Sequence, residues 1–143
     1  MLVQSILKGK SAGVVTIRPD ATVSDAAKLL AEKHIGSLVV SDDGATAQGI
    51  LSERDIVREL ARIGGGCLDK SVEHYMTRDL VTCTSQSSVK DVLTQMTEGR
   101  FRHVPVVEDG QLVGIVTIGD LVKAQLTELA MEKDALEGMI MGH

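Results

Sequence analysis

The hydrophobic positions of this chain fall into strand-like and helix-like spacings, and one succession of spacings occurs twice. Apolar runs of three or four residues indicate buried strands, and stripes at steps of three and four indicate helices. The first half predicts a strand, a helix, two strands joined by a turn, and a second helix, placed at 14–17, 23–35, 37–40, 49–51 and from Ser52. The second half predicts the same order, with strands and helices at 80–83, 88–98, 103–107, 112–116 and from Thr117.

The two halves also match residue by residue. Adding 66 to a position in the first half gives a similar residue in the second, so that Val15 corresponds to Val81. After one extra residue in the first half the offset becomes 65, and Gly49 corresponds to Gly114. Matches along the whole length with a single gap indicate a tandem duplication. The predicted fold class is therefore α+β, with two pseudo-symmetric β-α-β-β-α repeats, each a small sheet with two helices.

The repeat also divides the chain. We predict a first copy, a linker, a second copy and a C-terminal helical extension at residues 8–63, 64–75, 76–127 and 128–143. Three glycines, 64–66, mark the linker, and a short capped turn is expected from Ser71 to Met76. Residues 2–8 predict a small amphipathic helix that packs on the other copy.

The last helix continues beyond its repeat and carries an unusual stripe. Its apolar residues recur at alternating steps of four and three, interrupted only by Lys133, at Val122, Leu126, Leu129, Leu136 and Ile140. Such a stripe is typical of a helix that packs against a partner chain. Folding back onto the chain's own domain is the alternative, and the sequence leaves both open.

Two strand-to-helix corners share one motif. Residues 49–55 and 114–120 both read glycine, two aliphatic residues, Ser or Thr, two variable positions and Asp. The Ser/Thr-x-x-Asp part is also a helix capping box, and the chain repeats it at Thr22 and Ser88, where we interpret it as a cap only. What distinguishes the two corners is the glycine on the preceding strand, which we expect to let a ligand approach the backbone. A helix N-terminus favours anions, and a carboxylate there can accept hydrogen bonds from ribose hydroxyls.

Composition narrows the function classes. The chain has 43% hydrophobic and 24% charged residues, as expected of a globular domain. A net charge of −5 disfavours nucleic acid and anionic membranes as partners. Aromatic residues are almost missing, with one Tyr, one Phe and no Trp, so an adenine ring would have to lie between aliphatic side chains. We expect no signal peptide and no membrane-spanning run, two reduced cysteines, and a cytoplasmic location.

Catalytic and metal motifs do not occur. The four histidines, His34, His74, His103 and His143, show no metal-ligand spacing. The chain contains no GxSxG, Walker A or GxGxxG sequence, and the glycines at 64–66 lack the lysine of a phosphate-binding loop. We therefore expect neither an enzyme nor a metal site.

With these motifs the sequence resembles a known family. The duplicated β-α-β-β-α unit, the two corner motifs and the segment Arg102-His103-Val104-Pro105-Val106 are similar to paired CBS domains, named after cystathionine β-synthase. The likeness is greatest to small stand-alone bacterial proteins made of one CBS pair, and it covers the chain except its last dozen residues. The resemblance implies a regulatory module without chemistry of its own. Such pairs generally dimerise into a flat disc and bind adenosine-containing ligands, namely AMP, ADP, ATP, NAD(H) or S-adenosylmethionine, between the two copies.

The resemblance also implies roles for individual residues. Asp55 and Asp120 would bind ribose, and Ser52 and Thr117 would bind ribose or phosphate oxygens. The first strand of each copy would line the adenine pocket. The candidates for that pocket are Thr16, Ile17, Thr82, Val81 and Ile115.

Basic residues make the two corners unequal. Arg102 and His103 begin a strand of the second copy, where the first copy has Gly36 and Ser37. Bare basic residues at a strand start are often only solvated, but an acidic protein that binds phosphate needs a local cation. Arg102, His103 and Arg54 are therefore phosphate candidates. We expect the second corner, with Asp120, to be the better site.

Two functions from different classes follow. The first is an adenine-nucleotide sensor of energy or redox state, homodimeric, whose ligand shifts its shape or its affinity for an unknown regulated protein. The second is a ligand-free dimerisation or protein-interaction module that docks on a partner protein through its last helix.

Overall fold

The computed structural model describes residues 1–10 and 13–141. Ser11, Ala12, Gly142 and His143 lie outside it, and with them the last two positions of the predicted extension 128–143. Within the described residues, helices and strands occur in the order α1 (Val3–Gly9), β1 (Thr16–Ile17), α2 (Val23–Lys33), β2 (Ser37–Val40), β3 (Gly49–Ser52), α3 (Glu53–Ile63), α4 (Val89–Gly99), β4 (His103–Glu108), β5 (Gln111–Thr117) and α5 (Ile118–Ile140).

The two sheets are built in the same register, which confirms the α+β class and the duplication. In the first copy β1 runs parallel to β2, and β2 is antiparallel to β3, with Leu38 opposite Leu51. In the second copy β4 is antiparallel to β5, with Val104 opposite Val116. These two pairs occupy equivalent positions under the offsets of 66 and 65.

The predicted strand at 80–83 is wrong, and the one at 14–17 is shorter than expected. Of the described residues 80–83, Cys83 alone makes a bridge, parallel to Val106. A few residues earlier the chain is bound to the first copy, because Thr77 exchanges backbone hydrogen bonds of 2.8 and 3.0 Å with Ile50 of β3. Within the described residues, the segment after Thr77 therefore joins the second sheet at Cys83 alone.

Each copy encloses its own aliphatic core, but the leading segments are exchanged. The predicted N-terminal helix is confirmed as α1, and it packs on the core of the second copy, where Val3 is fully buried. Backbone hydrogen bonds from Val3 to Ser87 and from Val89 to Met1 fix it there.

The segment between the copies packs in the opposite sense. Residues 64–69 and 72–74 form 3₁₀ turns, so the linker has regular structure. Val72 is fully buried in the core of the first copy, and Leu68, Tyr75 and Met76 pack against that core. The expected turn after Ser71 is present, but within the described chain the Ser71 side chain makes no capping hydrogen bond with it.

Helix α5 runs without interruption from Ile118 to Ile140 and does not fold back on the domain. Leu126 and Leu129 are 62% and 51% exposed, and Leu136 and Ile140 are 59% and 83% exposed. The stripe predicted from the sequence thus faces away from the core. No helix in the described ranges, α5 included, has the length and apolarity needed to cross a membrane.

Candidate functional site

A cleft of about 480 Å³ lies between the two copies. The corner between β3 and α3 forms one wall, the start of β4 forms the facing wall, and the segment after Thr77 closes one side. The lining residues are Gly36, Ile50, Ser52, Glu53, Arg54, Asp55, Arg58, Thr77, Asp79, Leu80, Val81, Arg100, Phe101, Arg102, His103, Pro105, Thr117 and Ile118.

The first corner holds a buried carboxylate at a helix N-terminus. Asp55 is 8% exposed, and its Oδ2 accepts hydrogen bonds from the backbone N–H of Ser52 at 2.8 Å and from Ser52 Oγ at 3.0 Å. The Asp55 N–H donates back to Ser52 Oγ at 3.2 Å, which completes a capping box. Arg58, one turn along α3, forms an ion pair with Oδ1 of Asp55. The carboxylate is therefore held rigidly at the cleft wall.

The second corner has the same cap but a different neighbour. Oδ2 of Asp120 accepts a hydrogen bond of 2.9 Å from the Thr117 N–H, and the Asp120 N–H donates to Thr117 Oγ1 at 3.1 Å. Lys10 Nζ lies 2.7 Å from the same Oδ2 and 2.8 Å from the carbonyl oxygen of Ile115. Burial alone would raise the pKa of Asp120, but the Lys10 ammonium and the Thr117 hydrogen bonds outweigh it and hold that pKa below its ordinary value. Residues of the chain itself thus neutralise this corner.

The two corner glycines are needed for a reason other than the one expected. A Cβ on Gly49 would lie 2.6 Å from Met76 Sδ and 3.0 Å from the Thr77 carbonyl oxygen. A Cβ on Gly114 would lie 2.5 Å from Leu7 Cδ2. In both corners the chain itself fills the place of a side chain, so packing already requires the glycines, and their role in admitting a ligand stays a prediction.

His103 of the second copy lines the cleft and packs closely against the first copy. Its Nε2 would lie 3.3 Å from a Cβ at Gly36 of the first copy, so the absence of a side chain at position 36 allows this close packing. Burial is the main cause that lowers the pKa of His103, with Lys10 and Arg102 acting in the same direction and Glu53 and Asp120 opposing. The imidazole is therefore mainly neutral at pH 7, and it can donate or accept a hydrogen bond.

The cleft is basic although the chain is acidic. Four arginines line it, against the carboxylates of Glu53, Asp55 and Asp79, while the whole chain carries a net charge of −5. Arg54, Arg100 and Arg102 are exposed residues, and Arg58 is already paired with Asp55. Arginines that line a cleft beside a helix N-terminus favour a ligand bearing phosphate groups.

The cleft brings together seven of the residues singled out in the sequence. These are Ser52, Arg54, Asp55, Val81, Arg102, His103 and Thr117. The other five lie outside the cleft lining. Lys10 donates hydrogen bonds both to the Asp120 carboxylate and to the Ile115 carbonyl oxygen. Ile17 is in the core of the first copy, and Thr16 and Thr82 belong to the first-strand region of their copies. The ligand roles of all twelve stay predictions.

Sequence reasoning missed Arg58, Arg100 and Lys10. Arg58 could have been found from the sequence, since a cation three residues after a helical aspartate lies on the same face of the helix. Arg100 ends α4 in the left-handed conformation, with φ of 58°, and only the fold turns it toward the cleft. Lys10 meets Asp120 across 110 residues of sequence, which no local pattern indicates. No cluster of three His, Cys, Asp or Glu residues suited to a metal ion occurs in the part of the chain that the structure describes.

Comparison with known proteins agrees with this architecture. The model of the CBS domain family matches the chain twice, at residues 10–62 and 72–127. An uncharacterised 17.7 kDa protein of Acidianus ambivalens is 39% identical over 120 residues, covering 83% of this chain and 71% of its own. The mitochondrial CBS domain-containing protein CBSX3 of Arabidopsis thaliana is 36% identical over 141 residues, covering 94% of this chain and 68% of its own.

Solved structures match as well. The crystal structure of the CBS-domain containing protein ATU1752 of Agrobacterium tumefaciens is similar with a TM-score of 0.84 and 42% identity, covering 87% of this chain and 99% of that one. The CBS domain pair of protein MJ0100, crystallised in complex with 5′-methylthioadenosine and S-adenosyl-L-methionine, gives a TM-score of 0.78 and 30% identity over 90% of this chain and 98% of that one. With two family matches, in register with two structural copies, the chain belongs to the CBS domain family and is a tandem CBS pair, a regulatory module.

Proposed function

We propose that this CBS pair binds an adenosine-containing ligand in the cleft between its copies and acts as a non-catalytic sensor of energy or redox state. One observation carries the proposal: a rigidly held carboxylate, Asp55, lies at a helix N-terminus in a cleft that four arginines also line. The carboxylate suits the hydroxyls of a ribose, and the arginines suit phosphate groups. AMP, ADP, ATP and NAD(H) carry both.

The charge of the cleft distinguishes between adenosine ligands. The MJ0100 pair, crystallised with methylthioadenosine and S-adenosylmethionine, supports an adenosine ligand in general. In this chain Arg54, Arg100 and Arg102 would oppose the positively charged sulfonium of S-adenosylmethionine and attract phosphates. We therefore propose that phosphate-bearing ligands bind more tightly than methylthioadenosine, and that S-adenosylmethionine binds most weakly.

Binding would be transmitted because both copies supply the walls of the cleft. A ligand that contacts Asp55 in the first copy and Arg102 in the second favours one relative orientation of the copies. We further propose that the chain is a homodimer, and that this orientation is read by an unknown partner protein.

Calorimetry with AMP, ATP, NAD(H), methylthioadenosine and S-adenosylmethionine tests the proposal. Asp55→Ala should weaken the binding of the tightest nucleotide by about tenfold to a hundredfold, since hydrogen bonds to a charged acceptor contribute about 1.5–3 kcal/mol. Asp25→Ala is the matched control: it breaks an equivalent capping box on α2, and Asp25 lies outside the cleft lining. Asp55→Ala should lose more stability than Asp25→Ala, because Asp55 is buried and also paired with Arg58 while Asp25 is exposed, but only Asp55→Ala should lose affinity.

Two results would overturn the proposal. One is that no ligand of the series binds below millimolar concentration. The other is that Asp25→Ala and Asp55→Ala weaken binding equally, since affinity would then follow helix stability and not the ribose contact.

A ligand-free interaction module is the second candidate, and the exposed apolar stripe of α5 favours it. Removal of residues 128–143 should leave nucleotide affinity unchanged and abolish docking on a partner, with helix content checked by circular dichroism. If nucleotide binding is absent while the full chain still captures a partner that the shortened chain does not, this candidate replaces the first.

A further inference from the structure

The apolar stripe of α5 has the spacing of a coiled-coil seam. We define the seam as Val122, Leu126, Leu129, Lys133, Leu136 and Ile140, which occupy alternating d and a positions of successive heptads. Its apolar members are 41–83% exposed. Five large aliphatic side chains in one row on a helix, with Lys133 between the third and the fourth, leave an extended apolar surface in water, and such surfaces mark contact sites.

The seam points away from the chain's own domain. Leu121 and Ala124 are the buried residues of α5, and they hold the helix against the second copy. At about 100° per residue, the centre of the seam lies about 130° around the helix axis from that buried side. A second helix can therefore lie along the seam without displacing α5 from its core.

We infer that the seam is covered by the α5 seam of a second copy of this chain, with the two helices antiparallel. This names an interface for the homodimer proposed above, and it does not depend on nucleotide binding. In the antiparallel register Val122 faces Ile140 of the second copy, Leu126 faces Leu136, and Leu129 faces Lys133. A shallow groove beside Val122 and Leu126, lined also by Gly119, Lys123, Thr127 and Ala130, would receive the end of the second helix.

Charge complementarity decides the direction. In the antiparallel register Lys123 lies beside Glu137 of the second copy, and symmetry makes this attractive pair twice. One like pair, Glu132 with Glu132, remains, and a Lys133 adjoins each of them. In a parallel pair Lys133 would face Lys133, and Glu132 would lie beside Glu137 twice, with no attractive pair in compensation. Like charges in such positions destabilise and set helix orientation.

Lys133 is compatible with the seam although it is charged. Its Nζ lies 3.8 Å from Glu137 Oε1 one turn along the same helix, toward the edge of the seam. The aliphatic stem can then cover Leu129 of the second copy while the ammonium stays in water. A single lysine at such a position lowers stability and favours one register.

Disulfide mapping tests the direction on the full chain. Leu126→Cys and Leu136→Cys are combined in one variant, and trypsin cleavage after Lys123 and Lys133 then places the new cysteines on separate peptides, 124–133 and 134–143. Under oxidation the antiparallel pair should link 124–133 to 134–143. Links of each peptide to itself would show a parallel pair and overturn the inference, as would the absence of any link.

Charge exchange gives an independent readout. Lys123→Glu should weaken dimerisation, measured by sedimentation, by about tenfold, because it turns two attractive pairs into two repulsive ones. The double variant Lys123→Glu/Glu137→Lys should restore it. A dimer that ignores both changes leaves the proposed homodimer standing and overturns the seam as its interface, and a wild-type monomer overturns both, whatever the calorimetry shows.

Discussion

Replacing Gly49 by alanine adds one methyl group where β3 meets the start of the second copy. The new Cβ would lie 2.6 Å from Met76 Sδ, 2.9 Å from Met76 Cγ and 3.0 Å from the carbonyl oxygen of Thr77. Met76 can change rotamer, but Thr77 is held by its two backbone hydrogen bonds to Ile50. The backbone of one copy must therefore move relative to the other.

The cost follows from these contacts. Overpacking of a fitted interior by one methyl group costs about 1–3 kcal/mol. Alanine recovers about 0.5–1 kcal/mol, because glycine in a strand has a greater conformational entropy to lose. The expected net loss is about 1–2 kcal/mol in the free energy of unfolding.

Gly114→Ala is the matched control at the equivalent position. Its Cβ would meet Leu7 Cδ2 at 2.5 Å, but the next atoms, also of Leu7, lie 3.6 Å away. The end of a leucine side chain can rotate aside, so the loss should be below about 1 kcal/mol. In neither case is a left-handed backbone involved, so the difference between the variants reports space alone.

Urea unfolding at pH 7 measures both variants, with Gly119→Ala as a third. A Cβ at Gly119 meets nothing closer than Thr117 Oγ1 at 3.7 Å, and this variant should be neutral or slightly more stable. Our account of the corner glycines is refuted if Gly114→Ala is as damaging as Gly49→Ala, or if Gly49→Ala leaves the unfolding midpoint unchanged.

Three further predictions concern titrating groups. Lys10→Met should raise the pKa of Asp120, because burial then acts without the ammonium, and it should cost about 0.5–1 kcal/mol in this partly exposed pair; a carboxyl carbon-13 titration that shows no upward shift contradicts the contact. Burial lowers the pKa of His103, so on acidification the unfolded chain takes up the proton at a higher pH than the folded chain does. The stability contributed by the neutral imidazole is therefore complete above pH 6.5 and is lost as the pH falls toward the folded pKa. His103→Gln should flatten the dependence of the unfolding free energy on pH between 7 and 5, and an unchanged slope refutes this prediction. Burial, with a smaller contribution from Glu108, raises the pKa of Cys83 to about 11, so this thiol should react with a disulfide reagent at pH 8 only after unfolding, and rapid native reaction at Cys83, identified by peptide mapping, would contradict its burial.

The sequence pattern predicted those features of the fold that contacts between neighbouring residues determine. The helix starts at Thr22, Ser52 and Thr117 were readable from one motif, and all three form full capping boxes. The equivalence of positions in the two copies followed from residue matches at fixed offsets. In each case the deciding contacts span a few residues or repeat with a fixed period.

What the sequence did not predict depends on contacts between the copies. The strand expected at 80–83 is lost because Thr77 pairs with the sheet of the first copy. The corner glycines make room for Met76 and Leu7, which only the fold brings there. Lys10 carries no motif, and its contact with Asp120 needs α1 to be docked on the second copy first.

The exchange of leading segments makes each half of the molecule incomplete by itself. Helix α1 precedes the first copy but covers the core of the second, while residues 68–76 precede the second copy and cover the core of the first. A single copy expressed alone would keep a leading segment that packs on the other core, and its own core would be left uncovered. The two cores should therefore unfold in one cooperative step.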